Sequence, residues 1–243
     1  YYQVLQLLSG PEPETAFQSL LQLLEAHRDR FSVEDLNNVY QYVKNHCIRR
    51  INLGDEVYRE RLFGIYQNIL ADERLMRHDY LSPWEYKNIV TLGLRLRQEA
   101  WVADFIELHL HHLPPNERDN AHTYNSAMLC YYRKQYRQAV KLLQTVEFTD
   151  LYYQLDARSI LLKVYFETYE SESLLHHISA FKIFLRRNKL VSAYQRKIYE
   201  NFIRYALKIF RSSDSESKRK ALAEEIRSVD HISDRAWLLE QLE

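Results

Sequence analysis

Glycine and proline are the residues that this chain lacks most, with 4 glycines and 5 prolines in 243 residues. Average usage would give roughly 17 and 12. The tight turns between β-strands depend on these two residue types, so their scarcity argues against a β-rich fold. Leucine, glutamine, arginine and glutamate are abundant instead, and these lose little rotamer freedom in a helix. The composition predicts an all-α protein.

A net charge is also missing, because 33 Lys and Arg residues balance 33 Asp and Glu residues. No long-range field therefore steers the whole molecule toward polyanions or anionic membranes. The longest apolar runs fall short of the ~20 residues that span a bilayer. Tyr1 already lies in an apolar periodic stretch, YYQVLQLL, which predicts a trimmed N-terminus whose preceding residues cannot be read.

Cysteine is scarce, and Cys47 and Cys130 lie 83 positions apart in apolar periodic segments. This placement favours two reduced, buried thiols over a disulfide framework or a metal site. A reducing compartment, the cytoplasm, is the expected location.

The motifs of nucleotide and covalent chemistry are absent from the sequence. Its glycines are isolated, so it contains neither a phosphate-binding loop nor a dinucleotide fingerprint. No serine or cysteine can be tied to a His/Asp pair. We therefore expect no catalytic residues, no cofactor and no enzyme activity.

Helix signals recur every 15 to 20 residues. SVED places Ser32 as the N-cap of a helix that should run to about Arg50, and SPWE places Ser82 as N-cap, Pro83 at the first helical position and Glu85 as the capping-box partner. LPPNERDN, residues 113–120, must interrupt the helices. Further breaks are predicted near residues 52–56, 148–150, 169–173 and 212–217, which gives about a dozen helices.

An internal repeat follows from the apolar positions. Leu92, Leu96, Trp101 and Leu108 recur thirty-five positions later as Ala127, Tyr131, Tyr136 and Leu143. A period near 34 continues to Leu161 and Tyr165. The late position of Leu174 predicts a four-residue insertion in the third unit.

These residues resemble the tetratricopeptide repeat. Leu92, Gly93 and Leu96 resemble the Leu-Gly and aromatic positions of its first helix. The aromatic, small, large and small positions of its second helix are resembled by Tyr136, Ala139, Leu143 and Val146. Asp104 and Leu151 depart from the family pattern, at the small position and at the repeat-ending proline. The resemblance covers roughly residues 83–185.

Three longer segments, LSPWEYKNIVTLGLRL, VEFTDLYYQLDARSILLKVY and FLRRNKL, together resemble tetratricopeptide-like proteins of Bacteroidota, a resemblance that implies no particular activity. The helix spacing predicts stacked antiparallel helix pairs, and the resemblance implies that these form a right-handed α-solenoid. It would form a single domain over residues 1–243, with irregular helix pairs in 1–82, repeats in 83–188 and capping helices in 189–243.

A concave groove is the first candidate site. If the Leu92 and Leu96 side is buried, another stripe of each first helix lines the inner wall, with these polar and aromatic residues: Lys87, Arg97, His122, Asn125, Tyr132, Arg133, Asp156, Ser159 and Lys163. The carboxylate clamp of the family is not reproduced, because Thr91, Ser126 and Ile160 stand where it needs Asn or Arg. Either the groove belongs to a non-catalytic module that binds a protein or peptide partner of unknown identity, or these are ordinary solvent-facing residues with no ligand; we predict the first.

The alternative site is a basic stripe. Residues 182–220 contain twelve basic and three acidic residues. Within this segment four basic residues share one face of a helix: Lys197, Arg204, Lys208 and Arg211. The stripe could bind RNA or another polyanion, or it could be a solvated face that pairs with the acidic segment AEE at residues 223–225.

The densest metal candidate is ELHLHHL, where His109 and His112 share a helical face and His122 could join them. The segment lacks cysteine and a paired His-Glu motif, and histidines near a helix C-terminus are favoured there by the helix dipole. The sequence therefore predicts no metal site.

Overall fold

The computed structural model describes residues 4, 6, 13–76, 81–146, 151–211 and 216–243, and these contain no β-strand. The all-α prediction is confirmed. Thirteen α-helices have defined bounds in the described part, numbered here α1 to α13 in chain order: Pro13–His27, Val33–Asn52, Val57–Leu70, Glu73–Met76, Pro83–Arg95, Glu99–Leu108, Arg118–Tyr132, Tyr136–Thr145, Leu151–Glu167, Ser171–Arg187, Ala193–Arg211, Glu216–Ser228 and Arg235–Glu240. Two short 3₁₀ helices follow α1 and α6, at Arg28–Arg30 and Leu110–His112.

The chain divides into two compact units, Tyr1–Arg133 and Lys134–Glu243. The first unit contains α1 to α7, and the second contains α8 to α13. Within each unit a helix packs mainly on the next helix in the chain or on the one after it. None of the described helices has both the length and the apolar character needed to cross a lipid bilayer.

The two predicted N-caps are confirmed. The Ser32 hydroxyl accepts a hydrogen bond from the backbone of Asp35, and the Ser82 hydroxyl accepts one from the backbone of Glu85, each at 3.1 Å. The capping-box role of Glu85 is not found, since its carboxylate pairs with Lys44 of α2. The cap therefore rests on the serine hydroxyl, while the glutamate links α5 to α2.

The predicted breaks at residues 52–56, 113–120 and 169–173 separate helices as expected. The break at 148–150 and most of the break at 212–217 lie outside the described residues. Both cysteines are free and buried, as predicted, and burial raises the pKa of Cys47 to about 12.

One turn recurs three times between consecutive helices. Its central residue has a left-handed backbone with φ of 57°, 58° and 57°, at Arg97, Lys134 and Tyr169. In the first and third turns the following residue donates a hydrogen bond five positions back, from Gln98 to Gly93 at 2.9 Å and from Glu170 to Tyr165 at 3.0 Å. This bond is typical of a Schellman helix end.

These turns correct the predicted repeat register. The left-handed residues lie 37 and then 35 positions apart, and the second helices then align at three fully buried positions: Val102, Ala139 and Leu174. Each lies twelve positions after an equally buried residue of the first helix: Val90, Ala127 and Leu162. The third unit therefore has no insertion. Leu108, predicted to match the buried Leu143, is 65% exposed.

Gly93 brings α5 and α6 close together in the first unit. A Cβ atom at Gly93 would lie 2.5 Å from Cγ2 of Val102 and 3.2 Å from Cε2 of Phe63. The glycine is required here for the approach of the two helices.

Aromatic side chains join the helices of the second unit. Phe166 of α9 makes edge contacts with Phe210 of α11 and Trp237 of α13, at ring-centroid distances of 5.4 and 5.1 Å. Trp237 also contacts Phe202 at 5.8 Å. Helices α11 and α13 thus pack on α9 through these rings.

Candidate binding cleft

The predicted groove fails in the first unit at Lys87 and Asn125, which are buried. The Lys87 ammonium lies 4.8 Å from the ring centroid of Trp84, and the Asn125 amide donates to the carbonyl of Ala121 at 2.7 Å. The prediction is wrong for both residues because α5 and α7 pack against each other. The stripe of α5 that carries Lys87 is a packing face.

The other groove residues of the first unit are partly or fully exposed. His122 pairs with Glu107 at 3.0 Å, and Arg133 lies 3.8 Å from the carboxylate of Glu99. The Tyr132 ring makes an edge contact with the ring of Tyr131. Arg97 is exposed in the turn between α5 and α6. Their role in partner binding stays a prediction.

In the second unit the chain itself covers the predicted groove. Ser159 is buried, and its hydroxyl donates a hydrogen bond of 3.0 Å to the backbone carbonyl of Leu155 in the same helix. Lys163 forms an ion pair of 2.6 Å with Asp234, and Asp156 accepts from the hydroxyl of Tyr199 at 3.5 Å. The assignment is wrong for Ser159, which is buried. Asp156 and Lys163 are half-buried and contact Tyr199 of α11 and Asp234 before α13, and their role in partner binding stays a prediction.

The basic stripe of α11 is exposed at all four positions: Lys197, Arg204, Lys208 and Arg211. Lys208 forms an ion pair of 2.8 Å with Glu225 of α12, as the solvated-face interpretation anticipated. Arg204 donates to the hydroxyl of the buried Tyr205 at 3.0 Å. Two of the four basic residues, Arg204 and Lys208, thus already have partners within the chain.

The histidine cluster is only partly assembled. His109 and His112 bring their Nδ1 atoms within 3.2 Å, whereas His122 binds Glu107. Burial, and then the neighbouring histidines, lower the pKa of His109 to about 4. Within the described ranges, no group of three or more His, Cys, Asp or Glu side chains is arranged to hold a metal ion.

A cleft that the sequence did not reveal lies in the second unit, with a volume of about 810 Å³. The start of α8, the end of α9 and the start of α10 form its walls. Its lining residues are Lys134, Gln135, Tyr136, Arg137, Gln138, Val140, Val164, Tyr165, Thr168, Glu170 and Ser173. Lys134, the central residue of one repeated turn, lines the cleft, and the turn at Tyr169 flanks it.

Tyrosine side chains shape the walls of the cleft. The Tyr136 hydroxyl donates to the carboxylate of Glu167 at 2.5 Å, and burial together with that carboxylate raises the pKa of Tyr136. Tyr165 makes an edge contact with His177 at 5.7 Å. Both rings are half-buried, so each keeps some apolar surface available to a ligand.

The charges of the cleft are unevenly compensated. Glu170 accepts hydrogen bonds from the hydroxyls of Thr168 and Ser173, each at 3.1 Å. Lys134 and Arg137 are exposed, and no described carboxylate forms an ion pair with either. The cleft therefore offers two free cations, amide groups and aromatic surface.

One signal in the sequence could have located this cleft. The segment KQYRQAV places two basic residues where a helix begins, and acidic residues are the rule at that position. The repeat resemblance instead gave Tyr136 and Ala139 the aromatic and small positions of a second helix. Ala139 is buried, whereas the five residues from Lys134 to Gln138 line the cleft.

Comparisons of the chain with protein-family models, with curated proteins and with solved structures gave no match. The tetratricopeptide resemblance stays a prediction from residues 83–185.

Proposed function

We propose that this chain is a non-catalytic helical-repeat module that binds a segment of a partner protein in the cleft at the start of α8. In this proposal the helix pairs form a right-handed α-solenoid. Two observations support it: helices pack on their neighbours along the chain within each unit, and the same turn recurs at 97, 134 and 169. The two buried free thiols are consistent with a cytoplasmic location.

The cleft is the observation that carries the proposal. Its volume of about 810 Å³ is within the usual range for ligand sites, roughly 300 to 1,000 Å³. Its walls combine two tyrosine rings with the amide side chains of Gln135 and Gln138. Aromatic surface contributes affinity, and amides satisfy the backbone groups of an extended peptide.

A cleft-filling substitution tests this proposal. Gln138 and Gln144 are both exposed on α8, and only Gln138 lines the cleft. A phage-displayed library of random octapeptides should yield binders for the wild-type protein and for Gln144→Trp. Gln138→Trp should yield none. If Gln138→Trp selects peptides as well as the wild-type protein does, the binding site lies elsewhere. If the wild-type protein selects no peptide, the proposed function is wrong.

The alternative, RNA or polyanion binding through α11, has weaker support because Lys208 is already paired with Glu225. It predicts an affinity for a mixed RNA pool that falls steeply between 50 and 200 mM salt, as phosphate contacts require. Absent or salt-insensitive binding would exclude it.

A further inference from the structure

The start of α8 has the opposite charge pattern from most helix N-termini. Unsatisfied backbone N–H groups give a helix N-terminus a partial positive charge, so Asp and Glu are favoured in the first turn. α8 has no acidic residue there. It carries Arg137 in that turn and Lys134 just before it, and both line the cleft.

Neither cation is neutralised within the described chain. Three lysines of the second unit have described carboxylate partners, in the pairs of Lys163 with Asp234, Lys208 with Glu225 and Lys220 with Glu216. The one acidic residue that lines the cleft, Glu170, accepts bonds from two hydroxyls instead. Two cations and a positive helix end thus converge on one cavity.

Lys134 also occupies a backbone conformation that suits glycine better. Its φ is 58°, in the left-handed region that costs an L-residue roughly 1–2 kcal/mol. A glycine would close the same turn without this cost. Arg97 and Tyr169 adopt the same conformation in the other two turns, so the left-handed residue is a feature of the turn itself, and at Lys134 that turn places a cation in the wall of the cleft.

From this geometry we propose that the occupant of the cleft is an acidic, extended protein segment. Its carboxylates bind Lys134 and Arg137, and the N-terminus of α8 adds to their attraction. Its apolar side chains contact Tyr136 and Tyr165. This inference rests on the proposed function, since it names the chemistry of the segment that the cleft binds.

The test compares the amino-acid sequences of the peptides selected from the random octapeptide library. We expect the sequences selected by the wild-type protein to be enriched in Asp and Glu over the unselected library. An acidic octapeptide taken from that selection should bind Lys134→Glu/Arg137→Glu at least about tenfold more weakly, because two attractions become repulsions. A charge-matched control, Lys141→Glu/Lys189→Glu, changes two exposed residues outside the cleft and should lose less than about threefold.

Lys134→Gly separates binding from folding. The variant should melt at the wild-type temperature or above it, because the turn is relieved, and still bind the acidic octapeptide several-fold more weakly. Unchanged affinity in this variant and in the charge reversal would overturn the role of the cations.

The outcomes also distinguish this inference from the function on which it rests. If the selected peptides are blocked by Gln138→Trp but show no acidic enrichment, the cleft binds peptides and the acidic occupant is wrong. If the wild-type protein selects no peptides, both the inference and the proposed function are wrong.

Discussion

His109 and His112 face each other at the end of α6, with 3.2 Å between their Nδ1 atoms. One nitrogen must donate and the other accept, so the pair cannot hold two Nδ1 protons without losing this bond. Burial lowers the pKa of His112 as well as that of His109, whose pKa falls to about 4. The native fold thus favours the neutral rings.

This pair predicts a loss of stability in mild acid. Between about pH 6.5, the ordinary pKa of histidine, and about pH 4, the unfolded chain binds protons that the folded chain does not. The pair's contribution to the free energy of unfolding is therefore complete above pH 7, falls through this window and levels off below it. Urea titrations across the window should show a shallower pH slope for His109→Phe than for the wild type. Equal slopes would contradict the assignment.

Gly93→Ala should destabilise the protein by about 1–3 kcal/mol, although alanine is the better helix former. The added methyl would meet Val102 at 2.5 Å. Gly64→Ala is the matched control, since a Cβ atom there meets nothing within 4 Å, and it should stabilise by about 0.5–1 kcal/mol. Chemical denaturation measures both, and Val102→Ala should recover part of the loss in Gly93→Ala.

Arg97→Gly should raise the stability by about 0.5–1 kcal/mol, because Arg97 has a φ of 57° and glycine adopts this conformation without steric cost. Arg95→Gly, two positions earlier at the last residue of α5, should instead lower the stability by about 0.5 kcal/mol. Melting temperatures with equal shifts of the same sign would show that the turn carries no strain.

Trp237→Phe should cost about 1–2 kcal/mol, since the indole N–H donates to the carboxylate of Glu167 at 2.6 Å. Tyr136→Phe removes a second donor from the same carboxylate. Because both donors share one acceptor, a double-mutant cycle should give a coupling free energy of about 0.5 kcal/mol or more. Strictly additive losses would mean that the two bonds act independently.

Local features of this fold could be predicted from the sequence because they depend on neighbouring residues. The hydroxyls of Ser32 and Ser82 accept hydrogen bonds from backbone N–H groups only three residues further on. Pro114 and Pro115 prevent a helix because each lacks a backbone N–H group and has a fixed φ. The four basic residues of α11 are exposed on one face, as their spacing predicted.

The register and the groove required distances between helices. Apolar residues recur at 35 positions as well as at 37, and only the turns at Arg97 and Lys134 show which spacing applies. In the predicted register Asp104 matched Ala139, a mismatch that vanishes once Val102 takes that place. Lys163 is a polar residue on a helix face like any solvent-exposed one, and only the fold brings Asp234 to within 2.6 Å of it.

The helix that packs on α9 changes what a partner would need to reach that face. α13 is held there by Trp237 and is preceded by Asp234, the partner of Lys163. A tethered segment competes at an effective concentration on the order of millimolar. A free ligand for Lys163 or Phe166 must therefore bind tightly enough to displace an intramolecular rival that never diffuses away.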